Sequence, residues 1–162
     1  TIRFHERGVR LDLGAVAKGF ALDRAADILR RHAVQSALLH AGTSSVVVLG
    51  ATPRTIGVRA ANALFTIDQR EGCLAVSAPR GKCVEGATHI FDPACAASAR
   101  AVDTALVSAP LGAAAEADAW STALVVLGAR PLAMPDALRT AVHNGRRWTT
   151  HRIHLTPAPE AA

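Results

Sequence analysis

Val9, Leu11 and Leu13 alternate with Arg10 and Asp12, a period-two pattern that predicts an extended strand within residues 1–13. Gly14 interrupts it. Residues 15–32 then change to helical spacing: Val16, Phe20, Ile28 and Leu29 can share a buried side, leaving Lys18, Arg24, Asp27 and Arg31 to solvent or ligand. Residues 34–40 and 45–49 read as short strands separated by Ala41-Gly42-Thr43, and the second is uniformly apolar, as a strand covered on both faces should be. Further strands are predicted at 55–60, 64–68, 73–77, 88–91 and 102–108, with turns at Gly72, Pro79-Arg80-Gly81 and Asp92-Pro93. A second helix is expected over 114–127, ended by Gly128 in a left-handed cap. Strands near 140–143 and 147–154 should turn at Asn144-Gly145. No internal repeat is visible. Two main helices among many short strands predict an α+β fold with a mixed sheet, organised as a single domain over 1–156 with a frayed tail at 157–162.

Composition narrows the picture. In 162 residues, 50% are hydrophobic and 19% charged, which excludes a disordered chain and suffices for one core. No apolar run approaches the roughly 20 residues that a membrane-spanning helix needs. The net charge of +5 raises nucleic acid or an anionic phosphate ligand as partners. The basic residues are scattered, densest at Arg30-Arg31 and Arg146-Arg147, and four Phe, two Trp and no Tyr give few rings for base stacking, so no nucleic-acid partner is expected. Cys73, Cys83 and Cys95 match neither a disulfide framework nor a zinc pattern and read as free thiols. The chain opens at Thr1 rather than Met, which leaves the compartment open.

Three segments carry candidate chemistry. At Asp12-Leu13-Gly14-Ala15-Val16-Ala17-Lys18-Gly19 a strand gives way to a helix, so unpaired N–H groups and the positive end of the helix dipole gather beside Lys18, a setting that suits phosphate. The spacing is neither a Walker A loop nor a dinucleotide fingerprint, and such a junction is equally compatible with a purely structural turn. In Glu116-Ala117-Asp118-Ala119-Trp120-Ser121-Thr122, Asp118 and Thr122 stack on one helical face. A carboxylate and a hydroxyl suit Mg²⁺, which takes few protein ligands; the structural alternative has Thr122 bonding back to the carbonyl four residues earlier. Ala is the better helix former, so Asp118→Ala is expected to leave the fold intact. In Thr88-His89-Ile90-Phe91-Asp92-Pro93, His89 ends a strand beside a turn, where a functional or a plain surface histidine are both accommodated. His151 and His154 read as ordinary strand residues.

Taken in order, these segments resemble the FAD:protein FMN transferases of the ApbE type. Asp12 to Gly19 is similar to that family's D-[LF]-G-[GA]-[IV]-A-K-G, Thr88 to Pro93 to its H-I-I-D-P, and Ala117 to Ala123 to its A-D-A-[LW]-[SA]-T-A, with Val125 to Gly128 continuing the last. Two stretches depart: Gly42-Thr43-Ser44 stands where many members have Gly-Gly-Asp, and Ala94-Cys95-Ala96 where Arg-Thr-Gly is usual. The resemblance covers residues 8–128 and corresponds to the C-terminal part of such proteins, so an upstream segment is expected to be missing and a second chain could cover the region it would occupy. It implies transfer of FMN from FAD to a Thr or Ser of an acceptor protein with release of AMP. It also implies roles: the Ala15 carbonyl, Asp118 and Thr122 as Mg²⁺ ligands, Asp12, Lys18 and Phe91 as FAD contacts, and His89 as an acid or base near the acceptor hydroxyl. The alternatives are a non-catalytic flavin-nucleotide or metal-binding module and a pyrophosphatase that gives water the place of the acceptor.

Overall fold

The computed structural model describes residues 2–79, 83–84 and 87–158. Helix α1 spans Ala17–Arg31 and α2 spans Ala114–Leu127. The longer strands are β1 (Ala37–Ala41), β2 (Ser45–Leu49), β3 (Arg54–Ala60), β4 (Ala63–Gln69), β5 (Gly72–Ser77), β10 (Thr104–Ala109), β11 (Arg139–His143) and β12 (Trp148–His151). Two-residue strands β6 (Cys83–Val84), β7 (Ala87–Thr88), β8 (Phe91–Asp92), β9 (Ala97–Ser98) and β13 (Thr156–Pro157) complete the described elements. The architecture is α+β, as the pattern predicts. A six-stranded sheet of order β1-β2-β5-β10-β11-β12 forms the centre, and a three-stranded sheet of order β13-β4-β3 lies against it. Each described strand pair is antiparallel.

Period-two alternation sorts the central sheet into two faces. On β10, Ala105, Val107 and Ala109 join α1 and α2 in the larger core with Leu22, Ala26, Ala117, Leu124 and Val125. The intervening Leu106 belongs to the second core, with Val58 and Ile67 of the small sheet. Every residue of β10 is therefore buried. The same sandwiching covers β2, whose Val47 and Leu49 face the helices, as its uniformly apolar sequence predicts.

α1 buries a different face from the one its large apolar residues suggest. Gly19, Leu22 and Ala26 are buried, whereas Phe20 and Ile28 are exposed. Close packing of the two helices is the reason: a Cβ on Gly19 would overlap the Ala114 carbonyl, so only a residue without a side chain fits at the contact. Small residues face α2, and the bulky ones are turned outward.

Other boundaries shift for identifiable reasons. Residues 2–13 form no strand; no neighbour pairs with them, and Val9, Leu11 and Leu13 remain exposed. The run 88–91 is broken between β7 and β8 by a bend at His89. β12 stops at His151 because Arg152 adopts a positive φ of 57°. Gly128 has φ 77° and donates its N–H to the Leu124 carbonyl, the expected cap. Asn144 Oδ1 accepts from the N–H groups of Arg146 and Arg147, which fixes the β11–β12 turn. Pro157 still pairs with Phe65, and the Ala158 N–H reaches the Leu64 carbonyl, so residues 157 and 158 are held; the rest of the expected tail, 159–162, lies outside the described residues, as do Arg80 and Gly81 of the predicted turn. No described helix is long and apolar enough to cross a membrane.

Candidate functional site

Asp118 sits in the first half of α2 with its side chain only 3% exposed. A buried carboxylate has to be solvated by the protein, and three groups from two elements do so. Ser45 Oγ at the start of β2 donates to Oδ1 at 2.9 Å, and the Gly19 N–H in the first turn of α1 donates to Oδ2 at 3.1 Å. The Lys18 ammonium lies 3.4 Å from the same Oδ2. Lys18 Nζ also donates to the Gly14 carbonyl at 3.3 Å. The loop before α1 with the adjoining first turn of α1, and the face of α2, therefore meet at one cation-bridged point, although Gly19 and Asp118 are 99 positions apart.

The helix start is adapted to this arrangement. An uninterrupted helix would send the Gly19 N–H to the Ala15 carbonyl; here it goes to Asp118. No backbone hydrogen bond to the Ala15 carbonyl forms among the described residues. That leaves a main-chain oxygen unclaimed beside the loop. Asp12 shapes the loop from within, its Oδ1 accepting the Gly14 N–H at 2.6 Å. The exposed Asp12 thus has a local role in holding the junction.

Thr122, one turn beyond Asp118, bonds back to the Asp118 carbonyl at 3.3 Å, the structural alternative raised for it, and lies 3.1 Å from Ser77 Oγ. Ser77 also contacts Ser121 Oγ at 2.8 Å. The end of β5 thereby extends the polar surface from Asp118 to Thr122. His89 and Phe91 are both exposed, on the stretch that includes β8 and β9, with Ile90 between them anchored in the larger core.

Oxygen donors therefore predominate: one carboxylate, a hydroxyl and a main-chain carbonyl. This set suits a hard, octahedral ion such as Mg²⁺, which retains water and substrate oxygens among its ligands. Lys18 shows that a cation is accommodated between the loop and Asp118. No group of three His, Cys, Asp or Glu side chains suited to a metal occurs among the described residues.

Sequence reading overlooked Ser45, Ser77 and Asp23. Asp23 of α1 accepts the Ala114 N–H with Oδ1 and the Ala115 N–H with Oδ2, both at 3.0 Å, and so caps α2 from 91 positions upstream. Helix caps are legible only when the capping residue adjoins its helix, and neither serine stands in a recognisable motif. The geometry argues against the expectation that Asp118→Ala leaves the fold intact, because removing the carboxylate strands the buried Ser45 and Gly19 donors.

Comparisons with known proteins agree on one family. The model of the ApbE family matches residues 1–142. The FAD:protein FMN transferase of Treponema pallidum is 42% identical over 50 residues, 31% of this chain and 14% of that protein. The ApbE protein of Thermotoga maritima superposes with a TM-score of 0.76 at 28% identity, covering 90% of this chain and 52% of that one. The apo flavinyl transferase ApbE of Pseudomonas stutzeri gives 0.68 at 24% identity, over 88% and 48% respectively, a likeness of fold. This chain thus spans about half the length of the solved structures it matches.

Proposed function

This chain belongs to the ApbE family, and we propose that its site transfers FMN from FAD to a Thr or Ser hydroxyl of an acceptor protein, releasing AMP. The observation that carries the proposal is the Lys18 ammonium, held between the Gly14 carbonyl and the buried Asp118 carboxylate at the N-terminus of a helix. Phosphoryl transfer requires positioning and charge neutralisation more than covalent help, and this junction supplies both.

In this reading the FAD pyrophosphate lies against the first turn of α1, where helix N–H groups and Lys18 neutralise its charge. The acceptor oxygen attacks the phosphorus nearer the riboflavin; the bond to the AMP oxygen breaks, and the hydroxyl proton passes to a base. His89 is assigned to that proton, and Asp12 and Phe91 to contacts with FAD. The Ala15 carbonyl, Asp118 and Thr122 would hold Mg²⁺, which when bound would stabilise charge on the pyrophosphate oxygens. The unclaimed Ala15 carbonyl supports its place in that set. Asp118 is aimed by Ser45 and Gly19, so the chain fixes its carboxylate in place before any ion arrives. Ser77 does the same for the Thr122 hydroxyl.

The test is mass spectrometry of a Thr-containing acceptor protein after incubation with this chain, FAD and Mg²⁺. A mass gain of one FMN, with an equal yield of AMP, is the expected result. AMP without the mass gain would assign hydrolysis instead, and neither product would leave a binding module.

A further inference from the structure

A second polar site lies on the other face of the central sheet. Ser108 follows Leu106 on β10 by two residues, so both side chains point toward the small sheet rather than the helices. Ser108 pairs with Arg139 across β10 and β11. The Ser108 hydroxyl, fully buried, accepts from Arg139 Nη2 at 2.7 Å and donates to the equally buried Gln69 Oε1 at 2.9 Å. Gln69 Nε2 is in turn tied to the Arg70 carbonyl at 2.9 Å. A buried relay thus orients the Arg139 guanidinium from behind.

In front of it is a cavity of about 310 Å³, where Arg139 is joined by Arg152, His154, Thr66 and Thr156. Arg152 reaches it from a residue of positive φ, with Nη1 donating to the Asp136 carbonyl at 2.8 Å. Among the described residues neither arginine has a carboxylate within ion-pairing distance. Asp68 also lines the cavity, and its Oδ1 accepts from Thr55 Oγ1 at 2.7 Å. Two cations against one carboxylate leave an excess of positive charge in a concave site, with Arg139 half-buried and Arg152 exposed at its rim. Such guanidinium groups favour a planar or tetrahedral oxyanion that can accept several N–H bonds together.

We propose that this cavity binds a small molecule carrying a phosphate or carboxylate group, at a second site separated from the Asp118 cluster by the thickness of the central sheet. Arg139 and Arg152 grip the oxyanion and the Thr156 hydroxyl adds a donor, while Thr66 Oγ1, which donates to the Thr156 carbonyl at 3.3 Å, holds that strand end in place. The volume matches the lower end of small-ligand cavities and is too confined for a folded partner.

Calorimetric titration and thermal melting of the full chain test this, using inorganic phosphate and succinate as probes with ionic strength matched by chloride. One or both should bind saturably and raise Tm, and Arg139→Gln and Arg152→Gln should each weaken binding about tenfold or more. Lys18→Met, at the other phosphate-attracting junction, should leave the response in place. A response to phosphate alone identifies a phosphate-bearing ligand, and one to succinate alone a carboxylate. If Arg139→Gln fails to fold, Arg152→Gln still decides, because among the described residues Arg152 bonds only a loop carbonyl. No saturable response to either probe, or a response that survives the arginine substitutions and disappears with Lys18→Met, would overturn the proposal.

Discussion

The Gly19 N–H donates to Asp118 Oδ2 across 3.1 Å, joining residues 99 positions apart. Asp23, one turn further along α1, returns the favour by accepting the first two N–H groups of α2. Each helix therefore caps the other, and neither has a capping side chain at its own N-terminus. The absence of a side chain at Gly19 lets the helices come close enough for both exchanges. The same contact that builds the core thus presents Asp118 at the mouth of the Asp12–Gly19 loop.

Asp118 serves both fold and site, and two substitutions separate these roles. Asp118→Ala strands two buried donors, so unfolding free energy should fall by about 2–5 kcal/mol, read from denaturant melts. Asp118→Asn keeps an oxygen for the Gly19 N–H, and its amide can donate to Ser45 Oγ, so its stability should change by less than about 1.5 kcal/mol. Flavin transfer by the Asn variant should still drop roughly a thousandfold, with partial recovery at high Mg²⁺. An Asn variant transferring at the parental rate would remove Asp118 from the reaction.

Lys18→Met should give the opposite balance. The side chain is 39% exposed, so its ion pair with Asp118 is screened and worth no more than about 1 kcal/mol to the fold. Under the proposed function its charge at the helix N-terminus neutralises the pyrophosphate, so losing it should slow transfer roughly a hundredfold or more. Stability and rate measured on the same preparation check this. A variant that unfolds, or transfers normally, would refute the assignment.

Asp23→Ala removes a cap from the other helix without touching the loop. Two orphaned N–H groups at the start of α2 should cost about 1–2 kcal/mol. Hydrogen exchange should show the loss as faster exchange at Ala114 and Ala115, with the β3–β4 sheet unaffected. Uniform acceleration across the chain would mean that Asp23 has a wider role.

Cys73 supplies a pH test. Burial, followed by the nearby Asp23 carboxylate, pushes its thiol up from 9.0 to about 12. The folded chain keeps the proton in a range where the unfolded chain loses it. The stabilisation is therefore complete below pH 9 and declines as pH rises toward 12. At pH 8 a maleimide should modify the exposed Cys95 quickly and spare Cys73 until the chain unfolds, as peptide mapping would show. Rapid native labelling of Cys73 would contradict its burial.

Much of this protein could be read directly from the order of its residues. The extents of α1 and α2, the doubly covered β2, the Gly128 cap and the Asn144-Gly145 turn all follow from periodicity and local backbone preference, which act within a few residues. The three segments with candidate chemistry were also visible, because loop-to-helix junctions and i, i+4 pairs are local. The face that α1 buries could not be read this way. Its large residues point outward because α2 demands a glycine at the contact, a requirement that exists only once both helices are packed. Ser45, Ser77 and Asp23 gained their roles in the same manner, each reaching a partner on another element. The Ser108–Arg139 relay likewise depends on strand register. Sequence determined the main helices and strands and which groups could do chemistry; tertiary structure decided that residues 2–13 stay unpaired and which of those groups meet, because a strand, a buried carboxylate or a guanidinium must find its partners wherever the folded chain brings them.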